Sequence, residues 1–300
     1  MKKRKKKMII QVRDFIIDND LPFTLIAGPC AIESADHALK MQEEIKTITD
    51  RLGINYIFKS SFDKANRTSI KGQRGLGLDD AVQVFERLKK NTPILTDIHE
   101  TWQCDIIKYV VDVVQIPAFL CRQTDLLLAA ADTGLVINVK KGQFISPNDM
   151  VNIIAKIEST GNNQILLTER GTFFGYGNLV VDFRSLPIMA KTGYPVVMDV
   201  THSVQRPSGQ GDSSGGEREF IEPLACAAIA VGVGAIFMEV HDNPDQAISD
   251  GPNQLHLNDL EKLLVKLKGL DRIIKAPPKR KGFSFGSLLF SDREPLERGI

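Results

Sequence analysis

Short apolar, β-branched runs recur eight times between Thr24 and His241, each ending in a polar or charged residue, and a helix-like stretch usually separates one from the next. They read TLIAG from Thr24, YIFKSS from Tyr56, ILTDIHE from Ile94, VVQIPAF from Val113, VINVKK from Val136, ILLTER from Ile165, PVVMDVTH from Pro195 and AIFMEVH from Ala235. None alternates in polarity. Strands covered on both faces read this way, because a parallel barrel has a side-chain-filled interior and an outer ring of helices. The pattern therefore predicts an α/β protein of the (β/α)8 TIM-barrel class. In such barrels the catalytic groups sit at the C-terminal strand ends. Here those ends carry Cys30, Lys59, Asp97, His99, Gln115, Lys140, Arg170, His202, Glu239 and His241.

One barrel occupies about 250 residues, which absorbs most of this 300-residue chain. The expected division is a basic arm and barrel-closing segment over 1–22, a catalytic barrel over 23–275 and an irregular extension over 276–300. Within the first part, Met8 to Ile17 is expected to form a short strand or hairpin closing the lower end. The formal net charge of +1 conceals the KKRKKK run from Lys2 to Lys7; without those six charges the remainder carries −5. A mildly acidic body does not suit nucleic acid, and the arm reads as a solvated tail. The apolar stretch after it is interrupted by Gln11, Arg13 and Asp14, unlike a secretory core. No stretch approaches the roughly 20 apolar residues of a membrane span. Four cysteines without a signal sequence point to a reducing cytoplasm, with Cys104, Cys121 and Cys226 as buried small side chains.

The connecting segments carry helix signals. Ala38, Met41, Ile45, Ile48 and Leu52 make one apolar stripe. Ser146 and Pro147 are an N-cap and first-turn pair, with Gly161 where that helix stops. Asn258 and Glu261 form a capping-box pattern ahead of Leu260. Two polar connections exceed what a strand-to-helix turn needs, Ser60 to Gly77 and Arg206 to Gly216, and both are expected to act as mobile covers over the site.

Lys59, Lys64, Arg67, Lys140 and Arg170 fall at or just after strand ends, which a closed barrel brings around one mouth. Five cations converging without partner carboxylates from the same loops imply a phosphate or carboxylate ligand. Cys30, His202, Glu239 and Asp250 can meet because the first and last strands of a barrel are neighbours. A thiolate, an imidazole and two carboxylates suit divalent Fe, Zn or Mn without choosing among them.

Four longer motifs carry a family resemblance: FKSSFDKANRTS from Phe58, QIPAFLCRQTDLL from Gln115, INVKKGQFISP from Ile137 and DVTHSVQRP from Asp199. From about Phe23 to about Leu270 the chain resembles the 3-deoxy-manno-octulosonate 8-phosphate synthases, also called 2-dehydro-3-deoxyphosphooctonate aldolases. The resemblance implies a (β/α)8 barrel, assembled as a homotetramer, that condenses phosphoenolpyruvate with arabinose 5-phosphate and water and releases inorganic phosphate, on the route to the inner sugar of lipopolysaccharide. It further implies Lys59, Ser61, Lys64 and Gln115 on the carboxylate side of phosphoenolpyruvate, and Lys140 and Arg170 on its phosphate. Asn66, Arg67 and Thr68 would hold the aldose phosphate, Arg122 would reach a neighbouring subunit's site, and Asp97 would touch the sugar near its carbonyl. Lys64, Asp97 and His202 are the expected catalytic residues, His202 as a proton relay or as a metal ligand alone. The family divides at the GPCAIES motif, with cysteine in metal-dependent members and asparagine in metal-independent ones. Cys30 places this chain with the former, with Cys30, His202, Glu239 and Asp250 as ligands; whether the metal activates water or orients the aldose stays open.

The nearest rival is the related heptulosonate 7-phosphate synthase, which takes erythrose 4-phosphate and whose loop resembles KPRTS. Here Ala65 and Asn66 replace that proline, which favours the five-carbon aldose. A non-catalytic phosphosugar sensor on the same barrel would have lost ligands, and none is missing from these motifs.

Overall fold

The structure, a computed structural model, describes residues 7–67, 69–207 and 215–276. A hairpin of β1 (Ile10–Val12) and β2 (Phe15–Ile17) comes first. Six parallel strands follow: β3 (Thr24–Gly28), β4 (Tyr56–Lys59), β5 (Ile94–Asp97), β6 (Val113–Ile116), β7 (Val136–Lys140) and β8 (Ile165–Glu169). A two-stranded ribbon, β9 (Thr172–Phe173) with β10 (Leu179–Val180), interrupts the series before β11 (Val196–Asp199). A second ribbon joins β12 (Gln205–Arg206) to β13 (Gly215–Gly216), and β14 (Ala235–His241) completes the wall. β14 pairs in parallel with both β11 and β3, so eight strands close on themselves as a (β/α)8 barrel. β15 (Leu255–His256) extends the far end of β14.

Every residue of those eight strands is buried, which explains the unbroken apolar runs. The interior is nevertheless not wholly apolar. Thr168 Oγ1 donates to Asn138 Oδ1 at 2.6 Å and Asn138 Nδ2 to Gln115 Oε1 at 3.0 Å, a satisfied polar layer beneath the mouth.

The principal helices are α1 (Ala35–Leu52), α2 (Leu78–Leu88), α3 (Gln103–Ile107), α4 (Thr124–Asp132), α5 (Met150–Glu158), α6 (Ser185–Ala190), α7 (Ile221–Val231) and α8 (Leu257–Ile274). Ser34 caps α1 by accepting from the His37 N–H, and Gly53 ends it at φ 59°, a left-handed conformation that glycine adopts without strain. Ala38, Met41 and Ile45 of the expected stripe are buried, while Ile48 and Leu52 pack half-buried at its edge. Ser146 caps the short turn that leads into α5, as its sequence indicates. At α8 the start lies earlier than expected. His256 is the cap, its Nδ1 accepting from Asn258 N, because pairing with β14 holds the chain extended through His256.

The expected hairpin is present, with Ile10, Val12 and Ile17 in the core and Gln11 N donating to Gln164 Oε1 just before β8. Arg13, at the turn with φ 49°, grips Asp112 through two bonds of 2.9 Å, and Asp112 also accepts from Ile94 N at the base of β5. The basic run up to residue 6 and the segment from residue 277 lie outside the described residues. So do Thr68 and residues 208–214 of the second long loop; its flanks form the β12–β13 ribbon.

Candidate active site

At the C-terminal ends of the strands a cavity of about 620 Å³ opens. Lys59, Lys64, Arg67, Lys140 and Arg170 all line it, so the five scattered cations do share one mouth. Asn66, Asp97, Gln115, His202 and Asp250 line it too. Ser61, Cys30 and Glu239 do not line it; all three are buried and touch lining residues, Ser61 meeting Lys64 and both Cys30 and Glu239 meeting Lys59.

The sequence offers these cations no matching set of carboxylates from their own loops, but other strands supply partners to Lys59 and Lys140. Lys59 Nζ donates to Glu239 Oε1 at 2.6 Å and to the Cys30 carbonyl at 3.1 Å, and Lys140 is paired with Asp199. Buried ammonium groups need such counter-charges, and the carboxylates come from other strands than the cations themselves. Lys64 Nζ donates to Ser61 Oγ at 2.9 Å and lies 3.8 Å from Glu239 Oε1. Arg67 is spent on the neighbouring loop, reaching Ser249 Oγ at 3.0 Å and the Ile248 carbonyl. Arg170 differs. Its Nη2 donates to Gln205 Oε1 at 3.1 Å, but its buried Nη1 has no partner. Arg170 lines the cavity, and a guanidinium nitrogen without a partner is a ready anion donor.

Electrostatics follow from these contacts. Burial pushes Lys140 down to about 8, against the upward pull of Asp199. Burial likewise lowers Arg170. Lys64 resists burial and is held above its ordinary value by Cys30, Glu239, Asp97 and Asp250. Asp97 is buried as well, yet its hydrogen bond from His99 and the Lys64 charge hold it well below the carboxylate range. Glu239 is held down in the same way by His202, Lys59 and Lys64. Burial, then Glu239, pushes the Cys30 thiol far up.

The four proposed metal ligands converge. Donor atoms of Cys30, Glu239 and Asp250 lie within 4.8 Å of one another. His202 Nε2 approaches from the side, 3.6 Å from Glu239 Oε1 and 3.8 Å from Asp250 Oδ2. Glu239 Oε2 is buried with no hydrogen-bond partner, an orphan acceptor inside the cluster. Asp250 holds φ 52°, a left-handed conformation that aspartate tolerates better than most residues. A thiol, an imidazole and two carboxylates at these separations fit a divalent transition ion.

Arg122 is not brought to this mouth. It lines a separate cavity with Asn152 and Lys156. Sequence reasoning passed over Asp199 and Gln205, which bind the named residues from behind or beside. His99 was noted only as a strand-end residue; its Nε2 stands 3.2 Å from Asp97 Oδ2.

The fold and this mouth define a (β/α)8-barrel enzyme built around a cluster of buried cations. A model of the DAHP synthetase I family matches residues 5–276. The chain is 62% identical over 256 residues to the 2-dehydro-3-deoxyphosphooctonate aldolase of a Cyanothece strain, covering 85% of this chain and 94% of that protein. It is 59% identical over 269 residues to the protein of that name from Rickettsia bellii, covering 89% and 98%. The like-named protein of Bartonella henselae is 56% identical over 269 residues, covering 89% and 96%. The chain therefore belongs to the DAHP synthetase I family, among its 2-dehydro-3-deoxyphosphooctonate aldolases.

Proposed function

We propose that this protein condenses phosphoenolpyruvate with D-arabinose 5-phosphate and water, giving 3-deoxy-D-manno-octulosonate 8-phosphate and inorganic phosphate. The observation that carries the reading is the gathering of Lys59, Lys64, Arg67, Lys140 and Arg170 around one cavity, in a chain whose relatives bear the aldolase name. Two phosphorylated reactants repel each other, and such a cluster offsets that repulsion while fixing their orientation.

In this reading the enol phosphate lies with its phosphate between Lys140 and the unpartnered Nη1 of Arg170. Its carboxylate faces Lys59, Ser61, Lys64 and Gln115. The aldose phosphate is held by the Asn66–Arg67–Thr68 segment, with its carbonyl toward Asp97. Carbon 3 of phosphoenolpyruvate attacks the aldehyde carbon, the aldehyde oxygen takes up a proton, and positive charge develops at carbon 2. Water adds there, gives up a proton and phosphate leaves with its bridging oxygen. Lys64, held protonated, stabilises negative charge at the carbonyl oxygens. Asp97, held ionised, fixes the sugar through an acceptor oxygen. His202 stands at the cavity wall where the water proton is relayed.

Cys30, His202, Glu239 and Asp250 would hold a divalent Fe, Zn or Mn ion, which assigns the chain to the metal-dependent branch. Such an ion supplies Lewis acidity, lowering the pKa of water or orienting the aldose oxygens. The fit rests on the convergent donors and on the orphaned Glu239 Oε2.

Assembly as a homotetramer accords with Arg122, which stands away from its own mouth and would complete a neighbour's site. No described helix is long and apolar enough to cross a membrane. We read the protein as a cytoplasmic enzyme working on small phosphorylated molecules; the mildly acidic body outside the basic run argues against nucleic acid. Ala65 and Asn66, where the erythrose 4-phosphate enzymes carry proline, favour the five-carbon aldose. The test is phosphate release from phosphoenolpyruvate with each aldose phosphate, with and without chelator. Release with arabinose 5-phosphate, lost on chelation, supports the reading; equal turnover with erythrose 4-phosphate opposes the substrate, and indifference to chelator opposes the metal.

A further inference from the structure

Asp199 touches neither the cavity nor solvent, yet it joins the two halves of the site. It ends β11 with no exposed surface. Oδ1 accepts from the Thr201 and His202 N–H groups at 3.2 and 2.9 Å and from Thr201 Oγ1 at 3.1 Å. Thr201 Oγ1 accepts in turn from Glu239 N at 3.1 Å, so the same network reaches the last strand. Oδ2 faces His202 Nδ1 at 2.8 Å and is also the counter-ion of Lys140. Lys140 Nζ stands 3.4 Å above the centre of the Phe237 ring, which leaves the ammonium wedged between that ring and the carboxylate.

We infer that Asp199 is a positioning residue that sets His202 and Lys140 together, orienting a metal ligand with one oxygen and anchoring a phosphate-binding cation with the same oxygen. The inference rests on the reading of the site given above. An imidazole has one proton to place when neutral, and its other partner decides where. Asp199 Oδ2 lies 2.8 Å from Nδ1, which makes no hydrogen bond in the orientation shown; a small turn of the ring would align the pair, keep the proton on Nδ1 and leave Nε2, on the side of Glu239 and Asp250, free to ligate. Carboxylate–histidine pairs of this kind raise ligand basicity and hold the ring. Lys140 gains in parallel. Without Asp199 its ammonium would be buried against an aromatic face with no anion on the protein side, and it would lose both charge and position. Because a single group serves both, disturbing it should couple two properties that independent residues would keep apart: metal retention and affinity for phosphoenolpyruvate.

The experiment compares the parent, Asp199→Asn and Cys30→Ser in the full chain, using Co2+ as the probe. Co2+ affinity is measured by chelator competition, and the steady-state constants for both substrates are measured on the loaded proteins. For Asp199→Asn the expected result is Co2+ binding weakened about 10–100-fold, a higher KM for phosphoenolpyruvate and an unmoved KM for the aldose phosphate. A merely structural role would raise both KM values or neither. A folded Asp199→Asn protein with parental Co2+ affinity and parental KM, beside a Cys30→Ser protein that has lost Co2+, overturns the inference and leaves the metal reading standing. Parental Co2+ affinity in both variants overturns the metal reading and, with it, the histidine half of the inference. Should Asp199→Asn not fold, nitrogen NMR of the histidine-labelled, metal-free parent decides: the neutral His202 ring is expected to carry its proton on Nδ1, and a proton on Nε2 overturns the assignment.

Discussion

Lys59 and Glu239 face each other at 2.6 Å beneath the mouth, from strands on either side of β3, with side chains essentially out of solvent. The two reach across Gly28, where a β-carbon would sit 2.1 Å from the Lys59 carbonyl oxygen, so only glycine admits this approach. Removing one member leaves the other charged and buried. Lys59→Ala is expected to lower stability by about 3–5 kcal/mol, read as a shift of the urea unfolding midpoint. A midpoint within error of the parent would show the pair to be dispensable.

Gly28→Ala should be destabilising without altering any charge, by about 1–3 kcal/mol, the usual range for overpacking. Thermal unfolding measures it. Parental stability would mean that β3 can move away from β4 at no cost.

The pH dependence of phosphoenolpyruvate binding should follow Lys140, which burial lowers to about 8. Below that value the group is a cation and attracts phosphate; above it the group is neutral and the attraction is lost. KM for phosphoenolpyruvate is therefore expected to climb as pH rises through about 8, approaching tenfold per unit beyond it. Lys140→Arg should flatten this limb, since a guanidinium keeps its charge throughout. A flat profile in the parent would contradict the assignment.

Arg67 ties its loop to Ser249 and Ile248 on the neighbouring loop. Arg67→Ala should raise KM for the aldose phosphate by about 10–100-fold, matching the loss of charged hydrogen bonds worth about 1.5–3 kcal/mol. KM for phosphoenolpyruvate should change little. The reverse pattern would place Arg67 on the other substrate.

Cys30→Ala is expected to cut both bound metal, by elemental analysis, and turnover. Unchanged metal content would remove Cys30 from the ligand set.

The barrel was legible because strands buried on both faces leave unbroken apolar runs, and every run named from Thr24 to Ala235 contains a barrel strand. The hairpin at Met8 to Ile17 was legible from its apolar content, of which Ile10, Val12 and Ile17 reach the core while Ile9 and Ile16 stay exposed. The cation cluster followed from strand-end position alone. Its counter-charges did not, since Asp199 and Glu239 pair with lysines distant in sequence and adjacent only once the barrel closes. The α8 start was misplaced for a related reason: Asn258 and Glu261 have the right spacing, but pairing of Leu255–His256 with β14 decides where the helix begins. Gln205 carries no local signal; its role bridging Arg170 and Asp250 appears only in three dimensions.

The most direct measurement follows oxygen in isotopically labelled water. The purified protein is incubated with phosphoenolpyruvate, with and without arabinose 5-phosphate, and the released phosphate and product are analysed by mass spectrometry. The account predicts that phosphate appears only with the aldose and carries no label, while the eight-carbon product gains labelled oxygen at carbon 2. Labelled phosphate, or phosphate released without the aldose, would mean that water attacks phosphorus and that the mouth does not join two reactants.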